Sequence, residues 1–190
     1  PRSRTVTPAR SALLIPFLLR AEPELRAYTT QRLTTPAPAI DGKLEEACWT
    51  QGEWSDAFVQ REPHEGAPAA YRTELKILYD DHNLYVAIRA HDPEITTIPH
   101  LRARRDELAG DVVGIAFDSY ADRRSAFEFA LTLGGNQYDA QLRNWGGDSS
   151  WNAVWKSGVD TGNGCWTAEF RIPFSQVRHN GRSEQVWGLH

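Results

Sequence analysis

The residues of this chain best suited to chemistry are aromatic and planar polar side chains crowded between positions 136 and 155. A Trp ring can cover the apolar face of a sugar ring, while amide, carboxylate and guanidinium groups can pair with hydroxyl groups. The alternative for each Trp is a place in the hydrophobic core. The candidate carbohydrate contacts in this segment are Asn136, Gln137, Asp139, Trp145, Trp151 and Trp155.

The settings of these Trp residues differ. Trp145 precedes Gly146-Gly147 in a predicted loop, which favours an exposed ring. Trp155 lies within a predicted strand, which favours the core. The exposure of Trp145 and Trp151 therefore distinguishes a sugar platform from a purely structural role.

A second polar cluster, Arg104-Arg105-Asp106, precedes a predicted strand that begins at Val112. Paired guanidinium groups suit the carboxylates of acidic sugars, so Arg104 and Arg105 are also candidate carbohydrate contacts. The same groups could instead form a buried salt bridge with Asp111 or Asp118, which is the commoner outcome. Both interpretations remain open at the level of sequence.

Nothing in the chain predicts catalysis. The 25 acidic residues include no carboxylate pair in a setting distinctive of glycoside hydrolysis. No Gly-x-Ser-x-Gly motif occurs, and the six His residues are scattered without metal-ligand spacing. We therefore predict a binding domain and not an enzyme.

Composition indicates one folded domain. The 190 residues are 41% hydrophobic and 24% charged, as in ordinary soluble proteins. The net charge of -4 disfavours nucleic acid as a partner. Cys48 and Cys165 permit one disulfide, but nothing in the sequence places them together, so their pairing is left open.

The elements that must position these residues are short strands separated by turns. Residues 74–79 and 84–90 flank an Asp/Asn-rich turn and predict a hairpin. Gly-rich and Asp-rich turns bound the later strands. These are predicted at 112–120, 126–133, 138–144, 154–159 and 166–172, with an unfinished strand at Val186.

This pattern predicts an all-β fold, an antiparallel jelly-roll β-sandwich with one or two short helical turns. The turns are expected at 41–49 and 173–177. Trp49 is expected to plug the sandwich. Trp166, Phe170 and Ile172 share one face of a predicted strand and are expected in the core.

Residues 1–37 form a predicted extension to the sandwich domain at 38–190. Basic residues precede an apolar run at 12–19, which resembles the remnant of a secretory signal. The run is shorter than the ~20 residues that span a bilayer, so no transmembrane segment is predicted. The alternative is an edge strand. The absence of Met and the unfinished last strand predict a piece of a longer protein, truncated at its C-terminal end.

Several segments, in order, resemble one family. Residues 40–49 are similar to an opening IDGxLDExxW signature, and residues 78–86 to a following LYDDxxLYV hairpin. Further matching segments are 92–93, 104–106, 122–124, 150–155 and 164–174. Together they resemble family 9 carbohydrate-binding modules. More closely, they resemble the N-terminal domain of large secreted bacterial proteins that continue into an uncharacterised, membrane-associated, β-rich region.

The resemblance implies a jelly-roll sandwich that binds a polysaccharide or oligosaccharide without catalysis. It implies a secreted protein, periplasmic or associated with the outer membrane or cell surface of a bacterium. It also implies a second partner, the C-terminal region of the same protein. It further implies a structural calcium ion, which takes carboxylate oxygens and for which the candidate ligands are Asp106, Asp111 and Asp122.

The chain departs from the family at the positions that bind sugar. Family members that bind sugar well carry a Trp before the strand that matches 112–118, a Glu within it and an Arg in the next strand. The matching positions here hold Glu107 or Leu108, then Gly114, then Ala130, and a second Trp would lie beyond His190. Two hypotheses follow. The chain is a carbohydrate-binding module that tethers a larger protein, or a structural or interaction sandwich that has lost sugar binding and serves a membrane-associated partner region.

Overall fold

The computed structural model describes residues 26–144, 146–162, 164–182 and 184–190. The apolar run at 12–19, predicted as a signal remnant or an edge strand, lies outside the described residues. So does Trp145, which is a candidate carbohydrate contact. Among the described residues, no helix is long and apolar enough to cross a membrane.

The predicted hairpin is present and forms the centre of the first sheet. Strands β2 (Thr73–Tyr79) and β3 (Asn83–His91) pair antiparallel around a tight turn. The Asp80 carboxylate accepts the backbone N–H groups of His82 and Asn83, each at 2.7 Å. This is the local hydrogen bonding for which Asp is favoured in turns.

The described part of the chain contains ten short strands and three 3-10 turns. Besides β2 and β3, the strands are β1 (Gln31–Arg32), β4 (Val112–Asp118), β5 (Ser125–Thr132), β6 (Gln137–Arg143), β7 (Gly146–Asp148), β8 (Lys156–Gly162), β9 (Cys165–Pro173) and β10 (Gly188–Leu189). The 3-10 turns are Ala47–Thr50, Ile95–Thr97 and Phe174–Gln176. The first and last turns were predicted, and β1 lies within the extension for which an edge strand was the alternative, whereas β7 and the middle turn were not predicted.

The strands form two five-stranded sheets. The first has the order β1-β2-β3-β9-β8, and the second has the order β10-β4-β5-β6-β7. The all-β sandwich is therefore confirmed. The antiparallel prediction fails at one described pair, because β1 runs parallel to β2, with Gln31 opposite Leu78.

The main core fills the space between the two sheets. Because side chains alternate along a strand, Ile77 and Val86 face inward together with Phe170 and Ile172 of β9. Phe129 supplies the facing layer from β5. The predicted core positions at Trp166, Phe170 and Ile172 are all buried, so that prediction is confirmed.

A second cluster lies on the outer face of the first sheet. Leu78, Tyr85 and Ala87 point away from the main core and pack against Cys48 and Trp49. Trp49 is buried, as predicted, but it does not plug the space between the sheets. The segment that carries it lies along the outside of the first sheet, which the sequence pattern did not indicate.

Two buried charged side chains hold this outer segment. Lys76 donates from Nζ to the carbonyl oxygens of Trp49, Gln51 and Gly52 at 2.7–3.0 Å. Glu169 of β9 accepts three N–H groups from the same segment. Buried ions need such partners, because desolvation without them is costly.

The two cysteines do not pair. Cys48 is buried in the outer cluster, whereas Cys165 begins β9 and is partly exposed. Both thiols are free, which resolves the alternative that the sequence left open.

Candidate functional site

The candidate segment 136–155 is divided between the two ends of the sandwich. Its first half forms β6, which runs from Gln137 to Arg143 and spans roughly 20 Å. Asn136 and Gln137 therefore lie at one end of the strand, and Asn144 lies at the other. These residues do not form a single carbohydrate site.

At the first end, the structure brings three candidate residues together. The Arg105 guanidinium donates to Oε1 of Gln137 at 2.8 Å and forms a salt bridge with the buried Asp139 carboxylate. It also donates to the carbonyl oxygen of Ala153 at 2.8 Å. The Arg105 side chain is 37% exposed, so one side of this ion pair still meets solvent.

The Asp139 carboxylate also organises the core. It accepts the backbone N–H of Ala153 at 2.6 Å and the indole N–H of Trp155 at 3.1 Å. Trp155 is 6% exposed, and its ring stacks on Phe170 with 5.5 Å between centroids. A side chain without a solvent-facing surface cannot contact a ligand. The assignments of Asp139 and Trp155 as carbohydrate contacts are therefore corrected to structural roles.

The predicted salt bridge of the Arg104-Arg105 cluster is found, but with a different acid. Arg105 pairs with Asp139 and not with Asp111 or Asp118. The sequence could not indicate this partner because β6 reaches the cluster only through the sheet topology. The Arg104 side chain is exposed, and its backbone N–H donates to Glu107 at 3.2 Å.

Two further candidates have partly structural surroundings. Asn136 donates from its side chain to the carbonyl oxygen of Leu101 at 3.3 Å. Trp151 is half-buried, and its ring centroid lies 5.3 Å from that of Phe127 and 5.7 Å from that of Phe129. Part of the Trp151 ring is therefore accessible, although the ring is anchored in the core.

The three candidate calcium ligands do not converge. Asp111 directly precedes β4 and Asp122 follows it, so the length of a seven-residue strand, about 20 Å, separates them. Asp106 lies in the loop that contacts the start of β6. Across the ranges that the structure describes, no group of three or more His, Cys, Asp or Glu could hold a metal ion. The three carboxylates therefore do not form one site in the described structure, and calcium binding itself stays a prediction.

A cleft of about 460 Å³ lies at the opposite end of the sandwich, where the β4–β5 and β6–β7 turns meet. The segment that follows the last 3-10 turn completes it. The polar and aromatic side chains that line the cleft include Tyr120, Arg124, Gln141, Arg143, Asn144 and Arg178.

The β4–β5 turn is rigidly built. The buried Asp118 carboxylate accepts the backbone N–H groups of Asp122 and Arg123, at 3.1 and 2.7 Å. Asp122 in turn accepts those of Arg124 and Ser125, at 2.7 and 2.8 Å, and these bonds lower the pKa of its carboxyl group. Hydrogen bonds to a carboxylate favour its charged form.

Backbone contacts tie the other walls of the cleft to this turn. The Asn144 N–H donates to the carbonyl oxygen of Arg124 at 2.7 Å. The Ser119 hydroxyl donates to the carbonyl oxygen of Arg178. Three exposed Arg side chains, two of them on backbone held by these bonds, therefore line one cleft.

Sequence reasoning did not identify this cleft, although a signal for it exists. In a meander of antiparallel strands, the first and third turns lie at the same end of the sheet. Strands β4 to β7 form such a meander, so the turn at 119–124 and the end of β6 at Asn144 must lie at the same end of the sheet. The polar residues of both turns could have been assigned to one site on that basis.

The positions that the sequence resemblance matched to a sugar-contacting Glu and Arg lie elsewhere, on the outer face of the second sheet. Gly114 and Ala130 are direct partners across β4 and β5. A Cβ at Gly114 would lie 3.0 Å from that of Ala130, so the two strands leave little room between these positions. These two positions therefore carry small side chains, while Glu128 and Tyr138 lie on the same outer face.

Known proteins with the same fold are similar to this chain. A family profile described as "Carbohydrate family 9 binding domain-like" matches residues 40–190. A solved family 9 carbohydrate-binding module from Caldicellulosiruptor kristjanssonii in complex with glucose is similar, with a TM-score of 0.57 and 19% identity over 84% of this chain and 75% of that one. A second, in complex with cellotriose, has a TM-score of 0.52 and 17% identity over 85% and 74%. No curated protein matches the chain.

Proposed function

Because the chain belongs to the carbohydrate family 9 binding domain-like family, we propose that it is a non-catalytic module that binds a polysaccharide or oligosaccharide. The family match over residues 40–190 carries this proposal. The two similar solved structures, described as complexes with glucose and cellotriose, support it.

The end cleft supports the same function. Its volume of about 460 Å³ lies within the range of about 300–1,000 Å³ that is usual for small-molecule sites. Gln141 and Asn144 offer amide groups that can pair with hydroxyls, and Tyr120, which is 47% exposed, offers an aromatic face. Trp145 and Trp151 remain proposed contacts, the first because of its neighbour Asn144 and the second because it packs on Phe127, which lines the cleft.

The finer role that we propose is attachment. The module would hold a larger secreted protein on polysaccharide at the surface or in the periplasm of a bacterium. The resemblance to the N-terminal domain of large secreted proteins supports this role. The C-terminal region of the same protein would then be the module's second partner.

A titration tests the proposed function. Xylan, cellulose and short oligosaccharides are added while Trp fluorescence is followed, in the presence of calcium and after its removal with a chelator. We expect a saturable shift with at least one sugar and a millimolar to micromolar Kd, or about 4–8 kcal/mol. Unchanged fluorescence and no heat of binding with every sugar, with and without calcium, would contradict the proposal.

A second function is favoured by a specific observation. The outer face of the second sheet carries Gly114 and Ala130 at the positions that the resemblance matched to charged sugar contacts, and Trp155 is buried in the core. These features suit a sandwich that serves as an interaction domain for the membrane-associated region of its own chain. In that case no sugar binds, and the domain unfolds at a higher temperature within the longer protein than alone.

A further inference from the structure

The end cleft is positively charged in a chain that is negatively charged overall. Arg124, Arg143 and Arg178 line it, and Asp122 is the acid among its described lining residues. The cleft thus has a formal charge of +2 (three Arg and one Asp), against -4 for the whole chain. Clefts lined by one sign of charge concentrate the field and attract ligands of opposite sign.

The guanidinium groups of the cleft are only partly offset by nearby carboxylates, Asp122 beside Arg124 and Asp148 near Arg143. Within the ranges that the structure describes, none of the three forms a salt bridge. The Asp122 carboxylate is occupied by the N–H groups of Arg124 and Ser125 and by the Ser125 hydroxyl at 3.0 Å.

Asp148 is the other acid on the neighbouring strand. It lies near enough to Arg143 for that charge to help lower its pKa, after the larger effect of hydrogen bonds from Ser150. Those bonds, from the Ser150 hydroxyl at 2.6 Å and N–H at 3.0 Å, occupy Oδ1. Among the described residues Asp148 forms no salt bridge with Arg143, and its charge offsets part of the charge of that guanidinium group.

From this arrangement we infer that the end cleft binds an acidic saccharide, a chain that contains uronic acid residues. The inference rests on the proposed carbohydrate-binding function and names its ligand class. The planar guanidinium fork matches a carboxylate with two parallel hydrogen bonds. The amides of Gln141 and Asn144 would pair with the ring hydroxyls. A neutral sugar offers only such hydroxyls, so a cluster of three cations would add nothing to its binding.

The experiment compares three probes by calorimetric titration of the protein at low ionic strength. The probes are a galacturonate trisaccharide, the neutral galactose trisaccharide and citrate, which carries carboxylates without a sugar ring. We expect the galacturonate trisaccharide to bind at least about tenfold more tightly than either of the others, since hydrogen bonds between charged groups are stronger than those between neutral ones. Added salt should weaken this binding, because exposed charges are screened.

Matched variants locate the site. Arg143→Gln and Arg178→Gln each remove one cleft charge, and each should weaken galacturonate binding about tenfold. Arg61→Gln removes the same charge from an exposed position that does not line the cleft, and it should leave the affinity unchanged. Thermal unfolding of each variant confirms that it remains folded.

The outcomes separate this inference from the proposed function. If neutral sugars bind and galacturonate binds no better, the proposed function stands and the acidic ligand is wrong. If citrate binds as tightly as galacturonate, or if Arg61→Gln weakens binding as much as the cleft variants, the attraction is general and the inference is overturned. If neither trisaccharide binds, the acidic ligand is wrong, and the titration with xylan, cellulose and short oligosaccharides decides the proposed function separately.

Discussion

The buried carboxylate of Glu169 accepts the indole N–H of Trp49 at 2.9 Å, which ties the outer segment to the first sheet. The other oxygen of Glu169 accepts the backbone N–H groups of Asp41 and Gly42, at 3.0 and 2.8 Å. Burial raises the pKa of Glu169 to about 7, and this effect outweighs the three N–H donors that favour the charged form.

This raised pKa predicts a pH dependence of stability. A carboxyl group with a higher pKa in the folded state stabilises the fold most below its unfolded pKa, near 4.5, and that contribution is lost as the pH rises through about 7. Glu169 alone should lower the free energy of unfolding by up to about 3 kcal/mol across this window. Urea unfolding at about pH 5 and about pH 7.5 measures the difference.

The Glu169→Gln variant tests the assignment. It cannot titrate, so its stability should fall less between the two pH values, although its amide fits the three donors poorly and lowers stability overall. Glu65→Gln, at an exposed position, should keep the wild-type dependence. An equal pH dependence in Glu169→Gln and wild type would assign the effect to other groups.

A second prediction concerns the close approach of the outer segment to β8. A Cβ at Gly158 would lie 2.4 Å from the backbone nitrogen of Gly42, whereas a Cβ at Gly162, in the same strand, meets no described atom within 4 Å. Gly158→Ala should therefore destabilise the protein by about 2–3 kcal/mol, and Gly162→Ala by less than about 0.5 kcal/mol. Thermal and urea unfolding compare the two. Equal losses would mean that the segment does not lie against β8.

A third prediction concerns the ion pair of Arg105 with the buried Asp139. Arg105→Ala leaves the buried Asp139 carboxylate with only the Ala153 and Trp155 donors. It should lower the free energy of unfolding by about 2–3 kcal/mol, which is less than for a fully buried pair because Arg105 is partly exposed. Arg104→Ala, at the exposed neighbour, should cost less than about 0.5 kcal/mol.

A double-mutant cycle measures the coupling within this pair. Asp139→Asn removes the charge, so Arg105→Ala should cost clearly less in that background than in the wild type. Additive losses in the double variant would show that the two side chains do not interact energetically.

The sequence predicted the strands because their signals are local. The hairpin of β2 and β3 follows from alternation around an Asp/Asn turn, and the observed strands start within a residue of the predicted positions. Trp166 and Phe170 were predicted to be buried because period-two alternation alone determines which face they occupy.

Tertiary relationships could not be predicted in the same way. The buried position of Trp49 outside the sandwich depends on Glu169, a residue 120 positions further along the chain. The short strand β1 has no alternation to detect, since it contains only Gln31 and Arg32. Predicting the end cleft would have required knowing which turns lie at the same end of the sheet. Trp155 was assigned to the ligand site because the sequence around a Trp beside polar residues is the same whether the ring faces a ligand or the core.

A fourth prediction concerns the two free thiols. Burial raises the pKa of Cys48 to about 11, and it also raises that of the partly exposed Cys165. Because the thiolate is the reactive form, a thiol reagent near neutral pH should modify Cys165 slowly and Cys48 only after unfolding. Mass spectrometry of the labelled protein distinguishes the two sites. Rapid labelling of Cys48 in the folded state would contradict its place in the outer cluster.

The last prediction separates Trp155 from a ligand contact. Trp155→Phe keeps an aromatic ring on Phe170 but removes the indole N–H that donates to Asp139, so it should cost about 1–2 kcal/mol. Trp155→Ala also removes the ring that stacks on Phe170 and leaves a cavity, so it should lower the free energy of unfolding by about 3–5 kcal/mol. Because the ring is buried between the sheets and does not line the end cleft, calorimetric titration should give the Phe variant the same sugar affinity as the wild type. A large loss of affinity in the Phe variant under conditions where it remains fully folded would restore Trp155 as a carbohydrate contact.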